Sequence, residues 1–399
     1  MHLTRVEEQI LAGEQGWVKQ KAMEILVALG EIYSAERLIR VESAQVAGVS
    51  YKTIGDAGLD WLESLSSGRV QVPTTLNPAG MDLVEWRRMG VPEGFAEKQL
   101  RIVEAYKALG ALPTCSCTPY LVGNRPSPGQ HIAWSESSAV CYANSVLGAY
   151  TNREGGPSAL ASALLGRTPC YGYHLDENRA ATVTVDVKTE LANESSLSIL
   201  GWWIGRTVGT GVPHIHGLKH TRGDGLKALA AGLATTGSIA MFHHDGETRP
   251  EAKTTGSSET RRHSFTEKDL RESTESLTTV RAENVDLVAF GCPHASLREI
   301  RKIASLLQGR RIRRGSKLWV FTSSQVKALA RQEGVLASIT ASGAEVYADT
   351  CMVVAPLERI GFDTIGVNSA KAASYLPTTS NADVVFGNLR ECLELVCPK

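Results

Sequence analysis

The chain has no excess of charge of either sign. Its 42 Lys and Arg residues balance 42 Asp and Glu residues over 399 positions, so no global field draws it to nucleic acid or to an anionic membrane surface, and any anionic ligand must be held by a local site. It also lacks an apolar run long enough to cross a bilayer; even SSAVCYANSVLGAYTN (137 to 152) is broken by polar residues. The opening MHLTRVEEQILAG places Arg5, Glu7 and Glu8 where a secretory leader needs an apolar stretch, while Thr4 and Glu7 have the spacing of a helix capping box. A cytoplasmic protein is expected. No G-x-G-x-x-G, P-loop or nucleophile-elbow pattern occurs, which weighs against nucleotide-binding and hydrolase readings. C-x-x-C and H-E-x-x-H are absent as well.

What is present is the composition of a globular protein, 43% hydrophobic and 21% charged. The length suggests two or three lobes. Short β-branched runs alternate with amphipathic stretches, which predicts an α/β fold. Strands are expected in VQVPTTLN (70 to 77), ATVTVDV (181 to 187), GSIAMFHH (237 to 244), VDLVAFG (285 to 291) and KLWVFTS (317 to 323). Helical spacing puts Ile54, Ala57, Trp61, Leu62 and Leu65 on one face, and Ile102, Val103, Tyr106 and Leu109 on another that stops at Gly110. Residues 245 to 269 are polar and turn-rich and are expected to form a loop; with a second break near 150 they divide the chain into lobes at 1–150, 151–280 and 281–399.

Eight cysteines in such a chain are expected to be reduced, since a fold of this size needs no disulfide staples. Three stand in unusual settings. Cys117 lies in TCSCTPY between Pro113 and Pro119; Cys292 follows an expected strand and precedes a helix, whose N-terminus would favour its thiolate; Cys351 lies in YADTCMVVAP between a turn and an apolar run. Three thiolates from distant segments would hold three irons of a cubane cluster and leave the fourth open. The competing reading is that each is a small core hydrophobe, the default for a free cysteine. Cys115 reads as an outer neighbour of Cys117, and Cys141, Cys170, Cys392 and Cys397 as ordinary thiols.

His214, His216 and His220 in VPHIHGLKH offer a rival metal set, with His216 and His220 able to share a helix face, but no nearby carboxylate completes it and a solvated loop is the better reading. His243, His244 and Asp245 are similar, and GRRIRRGSK (309 to 317) reads as solvated surface. Gly48, Val49 and Ser50 in AGVSYKTIGDAG precede an amphipathic helix whose first N–H groups form an anion site with Ser50 as cap. Asn77 and Pro78 in TTLNPAG end a strand, and Glu136 and Ser137 in HIAWSESSAVCYANS open a further helix, where the dipole favours a carboxylate.

Taken together, SAQVAGVSYKTIGDAG, TTLNPAG, CTPY, HIAWSESSAV, TNREGGPSAL, YGYHLDENR, FGCPHASL, DTCMVVAP and NSAKAASY resemble the aconitase X family in its order and over nearly the whole chain. The resemblance implies a multi-lobed aconitase-like architecture with parallel or mixed sheets flanked by helices. It implies Cys117, Cys292 and Cys351 as ligands of a 4Fe-4S cluster, with a smaller cluster or a single iron also known among relatives. Gly48, Val49, Ser50, Asn77, Pro78, Glu136, Ser137 and Lys371 would line the substrate site, with Lys371 pairing a carboxylate or phosphate or standing as an exposed lysine. The family chemistry is dehydration of a hydroxy acid, with iron as Lewis acid for a poor leaving group while a base removes the adjacent proton. In the phosphomevalonate branch the substrate is (R)-5-phosphomevalonate, the product trans-anhydromevalonate 5-phosphate and the setting an archaeal mevalonate route to isoprenoids. Another branch dehydrates cis-3-hydroxy-L-proline, and a non-catalytic metabolite-binding subunit is a third reading. Because the chain ends at LELVCPK without the swivelling domain of fused members, the resemblance implies a heterodimer with a small subunit carrying the serine that acts as base. Neither nucleic acid nor a membrane is an expected partner.

Overall fold

A computed structural model describes residues 1–218, 220–245, 261–283 and 285–397. The fold is α/β. Strands β1 (Leu38–Arg40), β2 (Ala44–Val46), β3 (Thr74–Leu76), β4 (Ala133–Trp134) and β5 (Arg167–Pro169) belong to the first part of the chain. β2 lies between β3 and β4 in a parallel three-stranded sheet, and β1 pairs antiparallel with β5. Next come β6 (Val183–Val187), β7 (Pro213–His216), β8 (His243–His244) and β9 (Arg261–Phe265), a parallel sheet in the order β8-β7-β6-β9. The last sheet holds β10 (Leu287–Phe290), β11 (Lys317–Thr322), β12 (Glu345–Ala348), β13 (Thr364–Val367) and β14 (Asp383–Phe386). It is parallel and runs β12-β11-β10-β13-β14, so chain direction across the sheet reverses between β10 and β13. In open parallel sheets ligands bind at that reversal, outside the carboxyl ends of the strands.

Helices cover the sheets as the crossover connections of parallel strands require. The first helix, Arg5–Leu11, has the capping box read from Thr4 and Glu7. Glu93–Ala108 buries Ile102, Val103 and Tyr106 as its periodicity predicts. Tyr51–Ser64 is different: Gly55 leaves the helical conformation at φ +59°, so the face turns, Leu59 and Leu62 are buried, and Ala57 is exposed. The kink misplaces Ala57 and brings in Leu59, while Leu62 and Leu65 are buried and Ile54 and Trp61 pack against the same core as expected. Glu194–Val208 and Asp224–Thr236 approach closely because Gly201 and Gly232 face each other's backbone; a Cβ on Gly232 would stand 2.2 Å from the Ser198 carbonyl oxygen.

Two expectations, one of a strand and one of a loop, need correction. Of 237 to 244 only His243–His244 pairs as strand, since Ile239, Ala240, Met241 and Phe242 are buried by packing and not by a ladder. The polar stretch 245 to 269 is not all loop. Residues 246 to 260 lie outside the described ones, but Arg261–Phe265 is the edge strand β9, and Thr266 caps the helix Glu267–Ser276. On β9 only Phe265 is buried, so the strand shows none of the hydrophobic pattern that marks a central one.

Candidate active site

Loops at the carboxyl ends of strands from two sheets meet around one buried ion pair. After β2 the chain passes Gly48 and Val49 to Ser50, which caps Tyr51–Ser64 by accepting from the Lys52 N–H at 3.2 Å. The Ser50 hydroxyl donates to the Val354 carbonyl at 2.9 Å, which ties this cap to the loop after β12. After β3 come Asn77 and Pro78, and the Ala79 N–H donates to the Asp349 carbonyl at 2.8 Å. After β4, Glu136 caps the helix Ser137–Tyr142. Lys371 lies in the first turn of Ala370–Thr379, which follows β13. Its ammonium donates to Glu136 Oε1 and, at 3.1 Å, to Ser137 Oγ.

Lys371 is therefore a buried, paired lysine, and the exposed reading does not hold. Burial alone would push the Glu136 carboxyl up, but the Lys371 charge, its hydrogen bond and those from Asn77 and the Ser138 N–H outweigh it and hold the carboxyl well below the usual range. For Lys371, burial works against the ammonium, while the Glu136 carboxylate, by its charge and its hydrogen bond, holds the proton on. Asn77 Nδ2 donates to Glu136 Oε2 at 2.9 Å and is itself oriented by Gln45, whose Nε2 donates to Asn77 Oδ1 at 3.0 Å. Gln45 Oε1 accepts from the Glu136 N–H at 2.9 Å. Gln45 on β2 is a site residue that the sequence reading missed, because a polar residue on a short central strand carries no motif.

Cys117, Cys292 and Cys351 border this pair. Cys292 follows β10 and Cys351 follows β12, both at carboxyl ends. The fields of Glu136 and Lys371 both reach Cys117 and Cys292, Glu136 also acts on Cys351, and the thiols of Cys117 and Cys292 each interact electrostatically with that of Cys351. The expectation that a helix N-terminus favours the Cys292 thiolate is overturned. The following helix starts only at Leu297, and burial pushes the thiol up, with Lys371 and Ser369 opposing. Burial also raises Cys117 and, to about 12, Cys351. Three neutral sulfurs next to a charged pair, those of Cys117 and Cys351 in buried residues and that of Cys292 in a half-buried one, form the donor set that a thiophilic metal centre, by drawing off the protons, would occupy. Cys115 sits beside them at φ +40°, buried, with its thiol facing the Ala79 backbone. Cys141 lies within Ser137–Tyr142, and Cys170, Cys392 and Cys397 are free thiols.

His294 joins the three cysteine segments. Its backbone N–H donates to Cys117 Sγ at 3.1 Å, its Nε2 lies 2.8 Å from the Thr350 carbonyl beside Cys351, and its Nδ1 lies 3.2 Å from Ser116 Oγ beside Cys117. Since a carbonyl only accepts, Nε2 carries the proton and Nδ1 accepts from the serine. The His294 carbonyl accepts from Lys227 Nζ at 3.0 Å, and Lys227 is paired with Glu299. A cavity beside Cys292 is lined by Lys227, Glu299, Asn368 and Ser369. The signal for His294 was its place two residues after Cys292.

The histidine set also needs correction. His214 and His216 lie on β7, not on a helix or in a solvated loop, and Asp245 supplies the carboxylate that looked absent. His216 and His220 share no helix, since the chain turns after β7.

Family models match in chain order along almost all of this chain: aconitase X first domain over residues 1–177, second domain over 181–275 and third domain over 285–398. The chain is 51% identical to the phosphomevalonate dehydratase large subunit of Methanothermobacter thermautotrophicus over 97% of its own length and 96% of that protein. It is 46% identical to the protein of that name from Methanocaldococcus jannaschii over 99% and 100% of the two chains. The cis-3-hydroxy-L-proline dehydratase of Pseudomonas aeruginosa stands further off at 37% identity, covering 98% of this chain and 69% of that one. The crystal structure of Thermococcus kodakaraensis aconitase X in its holo-form superposes with a TM-score of 0.92 at 44% identity and full coverage of both chains. A parallel-sheet fold with loops from separate sheets closing on one polar centre, matched at this level from end to end, makes this chain a member of the aconitase X family.

Proposed function

We propose that the chain is the large subunit of a phosphomevalonate dehydratase, a cytoplasmic hydro-lyase that converts (R)-5-phosphomevalonate to trans-anhydromevalonate 5-phosphate. The observation that carries the substrate assignment is the difference between 51% identity to a large subunit of that name and 37% to a hydroxyproline dehydratase.

Cys117, Cys292 and Cys351 would hold an iron–sulfur cluster of the 4Fe-4S type. Once bound, it supplies a Lewis acid for the departing hydroxyl, with three thiolates leaving one iron free of protein ligand. Among the described residues, the set of potential ligands whose atoms all lie within 4.8 Å of one another is the histidine group and not the thiols. That favours sulfurs that each bind a separate iron over a single ion, whose thiolate ligands would stand about 3.8 Å apart at Zn–S-like bond lengths.

The chain's own residues bind and orient the substrate. Glu136, held as carboxylate by Lys371, accepts a hydrogen bond from a substrate hydroxyl. Lys371 turns part of its charge toward a substrate carboxylate, because its second hydrogen bond goes only to the neutral Ser137. The first-turn N–H groups of Tyr51–Ser64 do not receive the phosphate: Tyr51 donates to Gln99 Oε1 at 3.0 Å, Lys52 to Ser50 Oγ at 3.2 Å, and Thr53 and Ile54 to the Ser50 carbonyl, so the anion site expected at this helix start is satisfied within the chain. Asn77 is kept rigid by Gln45, so Glu136 keeps its direction when the substrate carboxylate engages Lys371. The reaction breaks the C–O bond and an adjacent C–H bond; the proton goes to a base on a separate small subunit, and hydroxide leaves as water after protonation. The relatives' name, large subunit, supports that partner.

The test is anaerobic reconstitution with iron, sulfide and the small subunit, followed by assay of both substrates. Loss of water from phosphomevalonate is expected. Turnover of cis-3-hydroxy-L-proline alone would move the chain to the other branch.

A further inference from the structure

We propose that His214, His216 and Asp245 form a second metal site, for a divalent ion of the zinc class, outside the thiol centre and independent of the dehydratase reading. His214 and His216 are two residues apart on β7, so their side chains leave the same face of the sheet, with ring centroids 4.2 Å apart. Asp245 follows β8, the neighbouring strand, and reaches across the carboxyl edge of the sheet. Its Oδ1 lies 2.8 Å from His216 Nδ1 and 3.6 Å from His214 Nε2. A tetrahedral ion with bonds of about 2.0–2.1 Å to nitrogen and oxygen holds its ligand atoms about 3.3 Å apart. The two distances from Asp245 bracket that edge, and the ligand atoms of the two rings lie within 4.8 Å of each other, so the cluster would become a coordination shell by closing around an ion.

Three further features fit a ligand set better than an ordinary His–Asp hydrogen bond. The second oxygen, Oδ2, accepts from the Gly217 backbone N–H at 3.1 Å, which fixes the carboxylate plane and leaves Oδ1 to the two rings, the role outer hydrogen bonds play around bound metals. One carboxylate oxygen faces two imidazoles, although neutral rings need no second partner there. The side chains are about one-third exposed, His214 29%, His216 36% and Asp245 29%, so water can enter and fill the fourth position. Two imidazoles and one carboxylate suit zinc, cobalt or nickel and disfavour magnesium and calcium, which take oxygen-rich shells. Bound there, the ion would clamp the ends of β7 and β8 together.

The test uses Co2+ as a spectroscopic probe on the full chain, because the thiols are rival ligands and a thiolate-bound cobalt shows sulfur-to-metal charge transfer that imidazole and carboxylate do not. The expected result is a bound Co2+ with visible d–d absorption and no such band, retained in Cys292→Ala, and weakened more than about 100-fold in Asp245→Ala, in His216→Ala and in the near-isosteric His216→Gln, a larger loss than outer hydrogen bonds alone cause. The proposal is overturned if both His216 variants, folded by far-ultraviolet circular dichroism, bind as wild type, or if all bound Co2+ carries the sulfur band and is lost in Cys292→Ala.

Discussion

Lys371 and Glu136 carry the polarity of the site, and their pairing sets what single substitutions do. Lys371→Met would leave Glu136 buried and unpaired, at a cost of about 3–5 kcal/mol at neutral pH. Urea titration should show that loss, and Glu136→Gln in the same chain should recover most of it. The pH dependence follows from the depressed Glu136 carboxyl. Its contribution is fully present above the ordinary value of 4.5 and is lost as pH falls through its folded value near 2, so the deficit of Lys371→Met should shrink on acidification. A second buried group acts in the same direction. Burial, with the charges of His131 and Arg179 beside it, holds His174 down to about 3. The unfolded chain therefore takes up a proton that the folded one refuses as pH drops below 6.5. Stability should fall between pH 7 and 5 by roughly 2 kcal/mol from this residue, and His174→Gln should flatten that slope.

At the scale of elements, His294 is the link between the loop after β10, the loop after β12 and the segment that carries Cys117. His294→Ala removes the ring from between Ser116 and Thr350 and should cost about 2–4 kcal/mol while lowering the iron retained after anaerobic reconstitution. His294→Gln, which keeps a donor and an acceptor, should retain more iron than His294→Ala. The helix pair Glu194–Val208 and Asp224–Thr236 gives a prediction free of chemistry. Gly232→Ala places a methyl carbon 2.2 Å from the Ser198 carbonyl oxygen, so the helices must part. Thermal unfolding should reveal a loss of about 3 kcal/mol or more.

These elements also show what a sequence discloses. Ser50, Gly48 and Glu136 were legible because caps and helix starts are local events with short signatures. Leu287–Phe290 and Lys317–Thr322 were legible because strands in a parallel sheet's interior are near-continuous apolar runs, and Val183–Val187 because its valines alternate with polar residues. β9 was not, since an edge strand shows one buried residue, and on Tyr51–Ser64 Leu59 was not, since Gly55 breaks the period there, although Leu62 and Leu65 were. Asp245 beside His216, Gln45 beside Asn77 and Lys371 on Glu136 are contacts between segments 29, 32 and 235 residues apart, which no local pattern encodes.

For the whole molecule, the five-stranded sheet with its reversal between β10 and β13 puts Cys292, Ser369 and Lys371 on one side of the centre. The three-stranded sheet supplies Asn77 and Glu136 from the other. The account rests on Cys117, Cys292 and Cys351 serving one iron–sulfur centre between those sheets. Anaerobic iron and sulfide analysis with visible absorption, on wild type and on Cys292→Ala, addresses this most directly. Wild type should carry near-stoichiometric iron and acid-labile sulfide with a broad chromophore that Cys292→Ala loses or degrades. A colourless wild-type chain after reconstitution, or a Cys292→Ala chain with the same chromophore and iron content, would contradict it.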